Sequence, residues 1–510
     1  MYLLGKKRNL SETFITAMWC LLTAFLLLMI CSRSSFLYPC NDWNDANCFF
    51  TVGKAMMNGQ VPYKDLFEQK GPYLFLIYGI SYLIKNDSFT GVFILEIVSF
   101  SIFLYFCYKI LNLYCKQRTA LLLLPLLSAS ILSSQSFYWG GSAEEFCLPF
   151  LGSSLYYSLN YFKKQYPEAP SLKIILLNGI FAGIIMQIKY TMLGFHFAWM
   201  AMIAFSCLAR KDWRSFFKGC LTFLSGMLLA MLPWLIYFGI NGALYDWYDC
   251  YIYTNIFLYS DLGEEGIGFI NKIIILADIL CSLILDNFSY FLFIIIGIIF
   301  LLLSLKVRWY EKINLLFLSV FLFLGIYVGG AVLPYYSLPL SIFTVLGFAV
   351  IGRLFDYLVL KLPHSASPRP LFVLLLLSTI IMSGSLNYVY SASMNSDAMK
   401  QDKSSHFLYK FKDIVQAEDN PTLLNISCLD AGLYTVADIL PTCRYFQLSG
   451  IPGCDEAGEQ EQYIKDAKTQ FVLARDTYPE IILKNYDLVS QAPYYQDGLE
   501  FTYYLFKRKE

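Results

Sequence analysis

The 510-residue chain carries 38 basic and 38 acidic groups, a net charge of zero, and is 57% hydrophobic but only 15% charged. Soluble domains carry about 25% charged residues, so this composition excludes a soluble globular protein and implies a polytopic α-helical membrane protein. The zero sum says nothing about partners, because the distribution of charge matters more than its total; no nucleic-acid partner is expected.

Eleven apolar segments are long enough to cross about 30 Å of hydrocarbon: roughly 13–31, 88–108, 119–135, 145–162, 172–188, 190–209, 217–240, 288–305, 313–331, 335–352 and 370–388. With the N-terminus cytoplasmic, the inner connections hold Lys6, Lys7 and Arg8; Lys109, Lys116 and Arg118; Lys163, Lys164 and Lys173; Arg210, Lys211, Arg214 and Lys218; Lys306, Arg308 and Lys312; and Arg353, Lys361 and Arg369. This is the positive-inside pattern. Two further apolar runs occur at 73–84 and 270–285. Counting 73–84 as a span would turn the next three basic connections outward, so it reads as a short helix at the outer surface. The odd number of spans places the C-terminus outside. The first apolar run has no small-residue cleavage site and reads as an uncleaved anchor.

The first outer loop, 32–87, concentrates charge in a protein otherwise poor in it: Asp42, Asp45, Asp65, Glu68, Lys54, Lys64 and Lys70. Phe49, Val52, Met56 and Met57 fall on one face at helical spacing, with Gly59 as a stop. A surface-lying amphipathic helix follows, with Asp42 and Asp45 at its start. Asp45 or Asn44 as a simple helix cap is the plain alternative. Two carboxylates and Lys70 at the rim of a membrane cavity suit proton removal from one substrate and neutralisation of an anion on another.

Later candidates each have a structural competitor. Glu96 sits inside a span, where an ionisable group is either functional or hydrogen-bonded to a neighbouring helix. Glu144 and Glu145 open a span, and Ser142 to Glu145 is a capping-box spacing. Lys189 is a lone cation on the outer side, against the charge bias, unless it snorkels. Asp246 and Asp249 share an outer loop with belt-type aromatics, and Tyr335 and Tyr336 either contact substrate or join such a belt.

From about residue 389 the composition changes to an acidic stretch without spans. Residues 423–430, 469–475 and 501–508 read as strands and 459–467 as a helix, giving a small α/β domain, 389–510, outside the membrane and behind a membrane domain, 1–388. Fourteen cysteines do not form a disulfide framework; in an oxidising compartment Cys40–Cys48 could staple the first loop and Cys428–Cys443 the C-terminal domain. His196, His364 and His406 lie in three separate regions, so no zinc spacing exists.

An Asp ahead of an amphipathic helix, then G-x-V-P-Y-x-D-x-F-x-x-K-G-P, is represented here by Asp45, Gly59, Val61, Pro62, Tyr63, Asp65, Phe67, Lys70, Gly71 and Pro72. This pattern resembles the first outer loop of GT-C integral-membrane glycosyltransferases, in particular the bacterial protein O-mannosyltransferase and lipid A aminoarabinose transferase group. Residues 141–150 resemble that family's second acidic outer loop, and IKYTMLG (188–194) its lysine at an outer helix end. PYYSLPL (334–340) is similar to its late Tyr-Tyr segment, with Pro334 where a histidine or arginine is often found. Residues 427–446 resemble the start of the outer soluble domain.

The resemblance implies a bacterial cell-membrane enzyme that moves a sugar from a polyprenyl-phosphate donor to a glycan, lipid or protein acceptor on the outer face. It implies inversion by single displacement, with Asp45, aided by Asp42, as the base. On this logic Lys70 and Lys189 neutralise the leaving phosphate, Glu144, Glu145, Tyr335 and Tyr336 contact substrate, and no cofactor is needed, a divalent metal being optional. A flippase or transporter predicts paired repeats and charges deep in several spans. A polysaccharide polymerase or ligase predicts its reactive loop late in the chain.

Overall fold

A computed structural model describes residues 10–258, 268–360, 370–451 and 454–510. Lys6, Lys7, Arg8, Lys361, His364 and Arg369 lie outside the described residues. In chain order the helices begin with α1 (Leu10–Cys31), α2 (Asn44–Met57), α3 (Pro72–Ile84), α4 (Thr90–Leu111), α5 (Gln117–Leu132), α6 (Ala143–Lys164), α7 (Leu172–Met186), α8 (Leu193–Ala209) and α9 (Trp213–Ile240). They continue with α10 (Leu244–Trp247), α11 (Phe269–Asp286), α12 (Phe288–Leu303), α13 (Trp309–Tyr327), α14 (Thr344–Leu360) and α15 (Pro370–Ala392), with a 3-10 segment, Pro334–Phe343, leading into α14.

All eleven expected segments are helical, but fewer meet a strict test. Among the described residues seven helices are long and apolar enough to cross a membrane, or eight if the pair α11–α12, bent by 113°, counts as one span. Helices α5 and α7 have only 16 and 15 residues. On α9 the residues Phe217, Leu221, Leu224, Leu228, Leu232 and Ile236 form an outward apolar stripe. Water would penalise such a stripe, and lipid accepts it.

The C-terminal unit adds α16 (Phe407–Val415), β1 (Leu423–Ile426), α17 (Leu433–Val436), α18 (Glu456–Lys465), β2 (Phe471–Arg475), α19 (Ile482–Asn485), β3 (Tyr486–Gln496) and β4 (Leu499–Arg508). The strand order is β1-β2-β4-β3, with β1 parallel to β2 and the other pairs antiparallel. Helix α16 covers one face, and its Phe407 stacks on Tyr503 at 4.1 Å. Strand β3 escaped the sequence pattern because it is an edge strand, largely exposed, that tolerates Asp487 and Pro493.

Helix α2 differs from the expectation of a surface-lying helix. Residues Ala46–Ala55 are all buried, because the C-terminal unit covers the face left free by α3. Thr51 donates to Asp430 at 2.7 Å, and the fully buried Lys54 ammonium donates to the Tyr434 carbonyl at 2.7 Å. Burial pushes Lys54 down to about 8, with Asp438 at 3.6 Å opposing. Neither cysteine pair is bridged, and all fourteen thiols are free. Cys40 Sγ lies 3.2 Å from His406 Nε2, and Cys48 donates to Gln447.

Arg33, just past α1, joins the two parts of the chain. Its buried guanidinium meets Asp42 at 2.5 Å, Asp497 at 2.6 Å and the Asn395 side-chain oxygen at 2.7 Å. Asp42 also accepts from Tyr494 at 2.8 Å. Burial works to raise the Asp42 carboxyl, but Arg33 and Tyr494 outweigh it and hold the group below the usual carboxylate range. The carboxyl therefore ionises at lower pH folded than unfolded. Its stabilisation is present above the unfolded value of about 4 and disappears as pH falls through the folded one. Arg33→Met, which strands two carboxylates, is expected to cost about 3–5 kcal/mol, read as a lowered unfolding midpoint in detergent. The difference from wild type should shrink on acidification below pH 4.

Candidate functional site

The G-P break that ends the first loop fixes the site. The Gly71 N–H donates to the Ile188 carbonyl at 3.2 Å, and a Cβ on Gly71 would sit 2.1 Å from the Gln187 carbonyl oxygen. Only glycine permits this backbone approach. It sets Lys70, at the loop's end, beside the connection that carries Lys189.

Two cavities meet there. One, of about 280 Å³, is walled by Asp45, Glu68, Lys70, Trp139, Tyr335 and the C-terminal unit's Ser449. The other, of about 140 Å³, is more apolar, with Lys70, Lys189, Ile326, Val328 and Tyr336 in its wall. Gln69, Lys70 and Tyr336 border both. The first sets the carboxylates Asp45 and Glu68 and the Lys70 ammonium among aromatic rings, and the second has a more apolar wall.

Asp45 occupies the first turn of α2. The N-cap is Trp43, which makes no side-chain capping bond, so Asp45 and Asn44 are not the helix cap. Instead the Asp45 carboxylate accepts from the Tyr335 hydroxyl at 2.7 Å. Trp43 and Trp139 stack at 5.0 Å with planes 6° apart, and Tyr335 packs edge-on to Trp43 at 5.1 Å. Lys189 Nζ is paired with Glu144 and lies 3.3 Å from the centre of the Tyr336 ring. At 8% exposure it does not snorkel. The second Glu144 oxygen is buried without a hydrogen-bond partner.

Other expected residues lie elsewhere. Asp42 faces Arg33 rather than the cavity, because it lies in the extended stretch before the Trp43 N-cap while Asp45 is in the first turn of α2. Glu145 accepts from the Gly141 N–H at 2.8 Å, and its own N–H is capped by Ser142 at 3.1 Å, which is a helix-start role. Glu96 accepts from Ser32 at 2.9 Å, the neighbouring-helix alternative. Asp246 lies 3.9 Å from Arg444.

Sequence reasoning left out Glu68, Trp43 and Trp139 as site residues. Burial, partly offset by Lys70, pushes the Glu68 carboxyl up, and Gln447 donates to it at 2.8 Å. The glycine pair Gly140–Gly141, both at positive φ, was the available signal for a special loop at Trp139.

Residues 69–237 match the family model described as dolichyl-phosphate-mannose-protein mannosyltransferase. No curated protein matches the chain. The crystal structure of ArnT from Cupriavidus metallidurans bound to undecaprenyl phosphate aligns with TM-score 0.57 and 12% identity, covering 97% of this chain and 98% of that one. Its apo state aligns at 0.56, with the same identity and coverage. The chain has the fold of ArnT. The shared fold runs through both the helical part and the C-terminal sheet, and the expected resemblance to GT-C membrane glycosyltransferases holds.

The Lys189–Glu144 pair is the buried charge pair of this site. Lys189→Met should destabilise by about 3–5 kcal/mol by leaving Glu144 uncompensated, and adding Glu144→Gln should recover most of it. Thermal unfolding of the two single variants and the double variant checks this.

Proposed function

We propose that the protein is a membrane glycosyltransferase that moves a sugar from a polyprenyl-phosphate donor to a glycan, lipid or protein acceptor on the outer face. One observation carries the reading. Asp45 stands in a cavity that sets two carboxylates and Lys70 among aromatic rings, and its wall, at Lys70 and Tyr336, is also the wall of a more apolar slot. A donor with an apolar tail, an anionic linkage and a sugar matches that order of surfaces. The family match and the ArnT fold support glycosyl transfer.

The acceptor hydroxyl enters from the water side, against Asp45. As its oxygen attacks the anomeric carbon, its proton passes to the Asp45 carboxylate and the carbon–oxygen bond to phosphate breaks. Attack opposite the leaving group inverts the anomeric centre. The bond from Tyr335 orients Asp45 toward the incoming oxygen. The polyprenyl phosphate leaves as an anion, and Lys70 and Lys189 supply the charge it needs. Glu144 holds Lys189 in place, and Asp42 acts through Arg33 on the fold. On this logic transfer needs no cofactor and no divalent metal, so a chelator should leave the rate unchanged.

Purified protein in proteoliposomes, given a panel of polyprenyl-phosphate sugars on the outer side, tests the proposal. Sugar transfer or release supports it; flipping of donor without transfer makes the protein a lipid-linked-sugar flippase and removes it. Asp45→Asn is expected to keep donor binding and lose roughly 10²–10⁴-fold in turnover. Wild-type turnover in that variant would reject Asp45 as base. Lys70→Met should weaken productive use of donor while leaving acceptor affinity near its original value.

The reading also places the N-terminus in the cytoplasm and residues 389–510 outside a cell membrane. Single cysteines introduced at Asn58 and Glu461, in a background without accessible thiols, should label from outside, and one at Lys164 should not. Labelling at Lys164 would overturn the eleven-span topology.

A further inference from the structure

We propose that Asp497, at the tip of the β3–β4 hairpin, is a positioning residue for the transfer site, acting through Trp139. The proposal rests on the function assigned above to the Asp45 cavity. Gln496 pairs with Leu499, and the two residues between them, Asp497 and Gly498, have φ of +51° and +88°. This is the geometry of a two-residue type I′ turn, which favours Asn-Gly and Asp-Gly. The turn presents the Asp497 carboxylate to the membrane part. One oxygen accepts from Arg33 at 2.6 Å and from the Tyr138 hydroxyl at 2.9 Å, and the other accepts from the Trp139 indole at 3.1 Å.

The loop that carries Trp139 needs such an anchor. Tyr138, Gly140 and Gly141 all have positive φ, and no helix or strand holds the loop between α5 and α6. The Trp139 carbonyl accepts from the Arg33 N–H at 2.9 Å, and the Asn395 amide and Tyr78 hydroxyl donate to the carbonyls of Tyr138 and Gly141, while the bond to Asp497 is made by the indole ring itself. The indole stacks on Trp43 and lies 6.2 Å from Tyr335, the residue that holds Asp45. Asp497 thus reaches the base through Trp139 and Tyr335. Attachment of the hairpin alone requires only the oxygen that faces Arg33, and the second oxygen is spent on the wall of the cavity.

Asp497→Asn separates the two roles. Asparagine suits a type I′ turn, so the hairpin is retained. Arg33 and Trp139 approach different oxygens of Asp497, and an amide puts an NH2 donor in place of one of them, so one of the two donors loses its acceptor. The expected result is a fall of up to roughly 10²-fold in kcat/KM for donor, the scale of a slightly misplaced site, with a folded protein. In a Trp139→Phe background the same change should cost far less, because the residue it acts through is gone. An activity-free arm reads the emission of Trp139 as the difference between protein with and without Trp139→Phe. That emission should shift when Asp497→Asn is introduced. Unchanged Trp139 emission, wild-type kcat/KM in Asp497→Asn, or fully additive losses in the double variant each overturn the proposal. Absence of transfer by the wild type would instead count against the assigned function, and the emission arm would still decide whether Asp497 holds Trp139.

Discussion

The arrangement of this protein depends on a single buried guanidinium. Arg33 spends its fork in three directions, to the start of the first loop, to the end of α15 through Asn395 and to the last hairpin of the chain. A buried cation costs several kcal/mol in lost solvation, and that cost is offset only when its donors meet acceptors of matching charge and geometry. Two carboxylates and an amide provide the match. The membrane part and the C-terminal sheet are therefore joined by a contact that is strongly unfavourable when incomplete, a stricter constraint than apolar packing alone.

The second constraint is steric. Gly71 against Gln187 and Ile188 brings two lysines, distant in sequence, to one border. Charge placed there faces the cavity that holds Asp45 and Glu68 on one side and a more apolar slot on the other, so the cations border carboxylates rather than hydrocarbon alone. Glu144 and the Tyr336 ring keep the Lys189 ammonium from being an uncompensated buried charge.

Much of this was legible in the sequence, and the reasons are local. The carboxylate at Asp45, the G-P break after Lys70, Lys189 between two apolar helices and the Tyr335–Tyr336 pair each stand out against apolar surroundings. The missing parts are those decided by a partner hundreds of residues away. Arg33 follows the first apolar helix, but nothing near it in sequence names Asp497. Asp42 stands three residues from Asp45, yet one precedes the extended Trp43 and meets Arg33 and Tyr494 while the other lies in the first turn of α2 and meets Tyr335. The burial of α2 was hidden for a similar reason, since its polar face is covered by residues 430–438, which no local periodicity can announce. Apolar composition also does not report where α5 and α7 stop or that α11 and α12 bend at Asn287, which is why fewer helices meet the strict length test than the eleven expected segments.

The covering of α2 has a consequence for biosynthesis. Its Thr51 and Lys54 find their partners in residues 430 and 434, and Arg33 finds one at residue 497. A ribosome adding about 5–20 residues per second takes on the order of tens of seconds to make the intervening chain. During that interval the first loop has left the ribosome, but Lys54 has no acceptor and Asp42 and Arg33 lack part of their lock. The cavity that holds Asp45 is therefore among the last features to form, although Asp45 is among the first residues made. A chain cut short in the C-terminal sheet would carry every group proposed here for the chemistry and still lack the wall formed by Ser449 and the clamp at Asp497.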